Sequence, residues 1–207
     1  MKQNFINQIN IEGYVYQHSL EVKTVKDSQS ANFGKEFLNG NLDIAVDEEG
    51  LNVVTVHYTY VTPTTKKDKP NHTYEVLKSI IDSGKTWLNV GKEGALKVKC
   101  QPSFALNDFY SREGQLVSQM TQEGGFISII QQFSDKRNRF DLDLLISSVT
   151  HVEADEEKNI KEDYCTIRGA AFDFKKAILP MTFKLSDPKG MDWFEGLDAS
   201  STNPVFL

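Results

Sequence analysis

At 207 residues, with 39% hydrophobic and 25% charged side chains, the chain has the composition of a soluble globular protein, long enough for one sizeable core with an extension. It has no apolar run long enough to span a bilayer and no signal-peptide core after Met1-Lys2-Gln3-Asn4-Phe5, so the expectation is a cytoplasmic protein with no membrane partner. The net charge of −6 is uneven: residues 1–140 hold 16 basic and 16 acidic side chains and residues 141–207 hold 7 and 13, so a neutral body compatible with a phosphate ligand precedes an acidic C-terminal part.

The first predicted strand covers residues 6–16, where Ile9, Ile11 and Val15 alternate with polar neighbours. Gly13 in its middle predicts a bulge or sharp coil. Residues 20–25 follow, then a polar segment 26–34 that reads as a mobile loop. A second strand is predicted at 35–46 and a third at 51–61, the latter apolar on both faces and therefore covered on both. The Lys-rich loop 63–70 precedes a helix over 74–90, capped by Asn71 or Thr73, with Val76, Leu77, Ile80 and Ile81 forming its apolar stripe and Gly84 a possible break.

A fourth strand and a long hairpin are predicted next, with arms 95–107 and 115–130 and a tip at 107–114. Beyond residue 131 the alternation stays β, with strands near 140–146, 163–174 and 177–185 around an acidic turn at 153–163. Residues 188–207 read as a tail with one helical turn and an apolar tip.

The order strand–strand–strand–helix–strand–strand over residues 5–130 is that of a five-stranded OB-fold barrel, so the expected fold is mainly β with one or two helices. Its expected divisions are a barrel at 1–130, additional strands packed on it at 131–187, and the tail.

The chemistry-bearing residues are sparse. Cys100 and Cys165 each sit in an apolar strand-like run and read as buried thiols. No Cys-x-x-Cys pair occurs and the four histidines are scattered, which argues against a metal site or any cofactor. No nucleophile elbow, phosphate-cradling Gly-rich loop or paired-carboxylate arrangement is present, so no catalytic residue is assigned and a non-enzyme is expected.

Single-strand binding instead needs flat rings for stacking and cations along the backbone. The segment between the first two strands offers Lys23, Lys26, Phe33, Lys35 and Phe37. The third strand offers Tyr58 and Tyr60, with core packing as their competing role, and the next loop offers Lys66, Lys67 and Lys69. The hairpin offers Phe109, Tyr110 and Arg112, and Lys136, Arg137 and Arg139 follow it. If the segment folds as an OB barrel, these loops border one groove.

The apolar-Gly-apolar centre Ile11-Glu-Gly-Tyr-Val15, the basic-aromatic loop, the strand at 52–61, the helix and the long hairpin together resemble the bacterial and phage single-stranded DNA-binding proteins, most closely the phage-encoded versions. The resemblance implies an OB-fold protein that coats single-stranded DNA in replication or recombination, located in a host-cell cytoplasm if phage-encoded. It departs from the cellular members in placing Trp87 and Trp193 away from the expected stacking positions. It also implies a partner-docking tip for replication or recombination proteins at Pro204, Val205, Phe206 and Leu207, and it leaves self-association open. The competing reading is a β-barrel protein-interaction or assembly module without nucleic-acid binding, and a third is an RNA-binding OB protein.

Overall fold

The computed structural model describes residues 5–135, 137–173, 176–200 and 204–207. The chain is mainly β and divides into two compact units, residues 8–140 and the described residues of 1–7 with 141–207.

In the first unit, β1 (Asn7–His18) is followed by β2 (Glu21–Thr24), β3 (Glu36–Ala45) and β4 (Val53–Val61). Then come α1 (His72–Ser83), a single turn α2 (Trp87–Val90), and the long hairpin of β5 (Lys97–Tyr110) and β6 (Leu116–Ile130). Five strands close a ring: β1 pairs with β3, β3 with β4, β4 with β6, β6 with β5, and β5 returns to β1. All of these pairings are antiparallel except β4–β6, where Val56 lies beside Gln122 and His57 beside Glu123 in parallel.

Within the ring β1 serves two neighbours, β5 through residues 11–14 and β3 through residues 14–18. Gly13 sits at the handover, and a Cβ there would lie 2.2 Å from the Ala45 carbonyl oxygen, so only glycine lets the strands approach so closely. The core fills with Val15, Leu38, Leu42, Ile44, Val56 and Val98 from the strands and with Leu77 and Ile80 from α1.

The helix expected over 74–90 is two pieces. Asn71 caps α1 by accepting the Thr73 N–H at 3.2 Å. Gly84, left-handed at φ 61°, ends it by donating its N–H to the Ile80 carbonyl, and Thr86 then caps the separate turn α2. The polar segment 26–34, expected as a loop, is the loop that closes the β2–β3 hairpin, with the Val25 and Lys35 backbones joined at 3.0 Å.

Glu12 is a buried charge, 4% exposed. Its carboxylate accepts the Ser134 N–H at 2.6 Å and the Ser134 hydroxyl at 2.7 Å, with Lys99 at 3.2 Å. Burial alone would raise its pKa, but the two Ser134 bonds and Lys99 outweigh that and hold it below the ordinary 4.5.

The second unit contains β8 (Leu145–Val152), β9 (Tyr164–Phe172), β10 (Ile178–Leu185), helix α3 (Pro188–Glu195) and the short β11 (Val205–Phe206), after β7 (Arg139–Leu142), which runs across the boundary. Its four-stranded sheet has the order β10-β9-β8-β11. Residues 131–187 were expected to add strands to the first sheet; apart from β7, they build this sheet of their own, because β9 bonds β8 on one side and β10 on the other. Ile146, Cys165, Ile167, Leu179 and Met181 supply its buried side chains, joined by Met191 from α3. Asp187 caps α3 by accepting the Gly190 N–H at 2.8 Å, with Pro188 in the first turn.

Replacing Glu12 by Ala removes the acceptor for two Ser134 donors, so unfolding free energy at neutral pH should fall by about 2–3 kcal/mol. The Glu12 contribution is present above pH 4.5 and is lost as pH falls through the lower folded pKa, so urea melts at acidic pH should show a smaller difference between the two proteins.

Candidate nucleic-acid interface

The β2–β3 hairpin and the end of β4 enclose an open cleft of about 800 Å³, lined by Lys23, Val25, Lys26, Phe37 and Tyr60 among others. The Phe37 and Tyr60 rings meet at 4.7 Å between centroids with planes 31° apart. Tyr60 is 46% exposed, and Lys23 lies opposite Phe37 in the β2–β3 register. A flat ring surface beside ammonium groups, open to solvent, is what stacking a base and neutralising its phosphate requires.

Phe33 and Lys35 lie at the closed end of the same hairpin, both exposed, with the Lys35 ammonium donating to Asn32 at 3.2 Å. Val61 pairs with Leu38, next to Phe37, so the following loop leaves the sheet at this end of the ring. That loop is pinched by the Thr65 N–H to Lys69 carbonyl bond at 2.8 Å and a Thr64–Pro70 bridge, which turns Lys66, Lys67 and Lys69 to solvent. The cleft also carries acids that sequence reasoning did not weigh. Asp27 lines it, and Glu21 sits 3.6 Å from Lys23, an exposed pair that salt screens readily.

The structure places several of the expected site residues away from the cleft. Tyr58 is 2% exposed, and its hydroxyl meets the Cys100 sulfur at 3.1 Å inside the core, so it offers no face to a base. Phe109 and Tyr110 are ladder residues of β5, opposite Val117 and Leu116, and the tip shrinks to residues 111–115 around Arg112. They do not converge on the cleft. Along β6 they lie the other way: Leu116 comes six residues before Gln122, the partner of Val56, whereas Tyr60 lies four residues beyond Val56 in the parallel direction.

Arg137 is engaged elsewhere, 4.4 Å over the Phe133 ring and 3.3 Å from Glu48. Arg139 starts β7, and Lys136 lies outside the described residues. The expected tail tip is a paired strand: Val205 lies opposite Ile146 and Phe206 opposite Leu145, Leu207 exchanges backbone bonds with Leu144, and Pro204 just before them is exposed.

Trp87 belongs to a cluster that the linear sequence does not reveal. Its ring meets Tyr14 edge-on at 5.4 Å, Tyr14 meets Phe133 at 5.1 Å, and Lys92 and Lys97 lie over these rings. Glu48 binds Lys92 at 2.7 Å, so this cluster already contains the counter-charge for its cations. The second unit holds another. His151 Nδ1 lies 2.6 Å and the Cys165 sulfur 2.9 Å from the same Glu195 oxygen, a meeting of one histidine and one cysteine that their distance in the sequence does not announce.

No curated protein matches the chain. Among known families, residues 6–202 match the one described as YorF, and the chain belongs to the YorF family.

Tyr58→Ala should destabilise the protein by about 3–5 kcal/mol, whereas Tyr60→Ala should cost about 1 kcal/mol or less, a contrast that denaturant melts read directly.

Proposed function

We propose that this YorF-family chain binds single-stranded DNA without catalysing a reaction, through an OB-type ring whose ligand crosses the Phe37–Tyr60 cleft. The observation that carries the reading is the exposed, mutually stacked ring pair beside Lys23 and Lys26, at the end of the ring from which the Lys66–Lys69 loop leaves. The strand order supports the OB assignment: counting ring strands along the chain, the first neighbours the second and fourth, the third runs parallel to the fifth, and a helix joins the third to the fourth. Stacking and charge neutralisation need no acid, base or nucleophile. Coating of exposed single strands during replication or recombination, in a phage-type setting, is the role this chemistry serves.

The hairpin favours a second use. Phe109, Tyr110 and Leu116 are all exposed at its end, with Tyr110 at 74%. Rings held on a ladder away from the cleft suit a protein partner, or bases farther along a strand of several nucleotides.

Titration of a labelled oligo-dT of ~30 nucleotides should show binding that falls log-linearly with salt, with a slope no steeper than about −4 if the six lysines at 23, 26, 35, 66, 67 and 69 each meet a phosphate. Phe37→Ala with Tyr60→Ala should weaken it by at least about tenfold with folding intact. Absence of binding at low salt would overturn the reading in favour of the protein-interaction module, and equal affinity for duplex would remove the stacking argument.

A further inference from the structure

The second unit brings three different donor types to one point, one from each of three elements: His151 from β8, Cys165 from β9 and Glu195 from the last turn of α3. Their ligand atoms all lie within 4.8 Å of one another, and Glu195 Oε1 holds both of the others at hydrogen-bond distance. The Cys165 side chain is buried, while the His151 and Glu195 side chains are 39% and 41% exposed, so the sulfur lines the floor of a site open on its other side.

We infer that His151, Cys165 and Glu195 form a binding site for a single divalent transition-metal ion of the zinc class. Tetrahedral zinc holds sulfur, nitrogen and oxygen donors at ~2.0–2.3 Å, which places the donors about 3.4–3.7 Å apart. Glu195 needs to withdraw by about 1 Å from its two partners, and the His151 and Cys165 ligand atoms, within 4.8 Å of each other, to settle at the same spacing, a side-chain adjustment at the open face of the site. A thiolate, an imidazole and one carboxylate select zinc or cobalt over magnesium or calcium, which require oxygen donors.

The surrounding charge favours a cation. Asp163 and Glu153 act on His151, and Asp192, one helical turn before Glu195, acts on Cys165. In the structure the Cys165 thiol donates its hydrogen to the Glu195 carboxylate at 2.9 Å. Metal binding releases that proton to solvent, leaves the thiolate on the ion, and frees the carboxylate oxygen to become the third donor. The fourth position falls to water.

Untagged full-length protein titrated with Co²⁺ at neutral pH under a phosphine reductant should develop a near-ultraviolet thiolate-to-cobalt charge-transfer band, saturating at one ion per chain and displaced by Zn²⁺. Cys165→Ser should abolish the band and Cys100→Ser should retain it. His151→Gln, at an exposed position that folding tolerates, should weaken Co²⁺ binding at least about tenfold. No band in the wild-type protein, or a band that survives Cys165→Ser in a folded variant, would overturn the inference and leave a hydrogen-bonded clasp between α3 and its sheet. Neither result depends on whether the chain binds DNA.

Discussion

The first unit depends on one parallel contact. β4 and β6 run side by side in the same direction at Val56–Gln122 and His57–Glu123, and a parallel neighbour is out of reach of a tight turn. The chain between them must leave the sheet, cross and return. α1 occupies that crossover and places Tyr74, Val76, Leu77 and Ile80 in the core. β5 then pairs with β1 before the hairpin turns back, and the ring is closed. Closure pairs the β4 edge with β6 at Val56 and His57, while β3 still carries β2 as an outer ribbon. The cleft exists because that ribbon continues past the end of the core.

The same geometry decides the fate of two tyrosines. Tyr58 and Tyr60 share a face of β4 by alternation, and sequence assigns them the same two competing roles. The core ends between them. Tyr58 still has Cys100 and the inner side chains around it, whereas Tyr60 has passed them and finds Phe37 instead. Alternation reports which side of a strand a residue occupies, but not how far along the strand the covering layer extends.

Much of the architecture was legible for a physical reason. β1, β3 and β4 lie where their apolar patterns place them and Asn71 caps α1, while the bulge expected at Gly13 is a register shift between Val15 and Gln17 and Gly13 itself marks a close approach to Ala45. The misses share a cause in long-range pairing. Hairpin length was underestimated because the Asn-Asp-Phe-Tyr stretch at 107–110 resembles a turn, yet the facing strand from Leu116 pairs with it through Tyr110. The tail looked free, yet β11 is held by β8, some sixty residues earlier in the chain. In the cleft, Lys23, Lys26, Phe37 and Tyr60 were all named from sequence, while the acids Glu21 and Asp27 beside them were passed over. His151, Cys165 and Glu195 carry no spacing signal, since 44 residues separate the first from the last.

The central claim is that a single strand lies across the Phe37–Tyr60 cleft. Photo-crosslinking of a bromodeoxyuridine-substituted oligonucleotide of about 30 residues, followed by mass spectrometry of the crosslinked peptides, tests it most directly. Crosslinks on peptides containing Phe37 or Tyr60, with further ones at Phe33 or the Lys66–Lys69 loop, are the predicted result. Crosslinks confined to other surfaces, or none under conditions where the protein is folded, would contradict it.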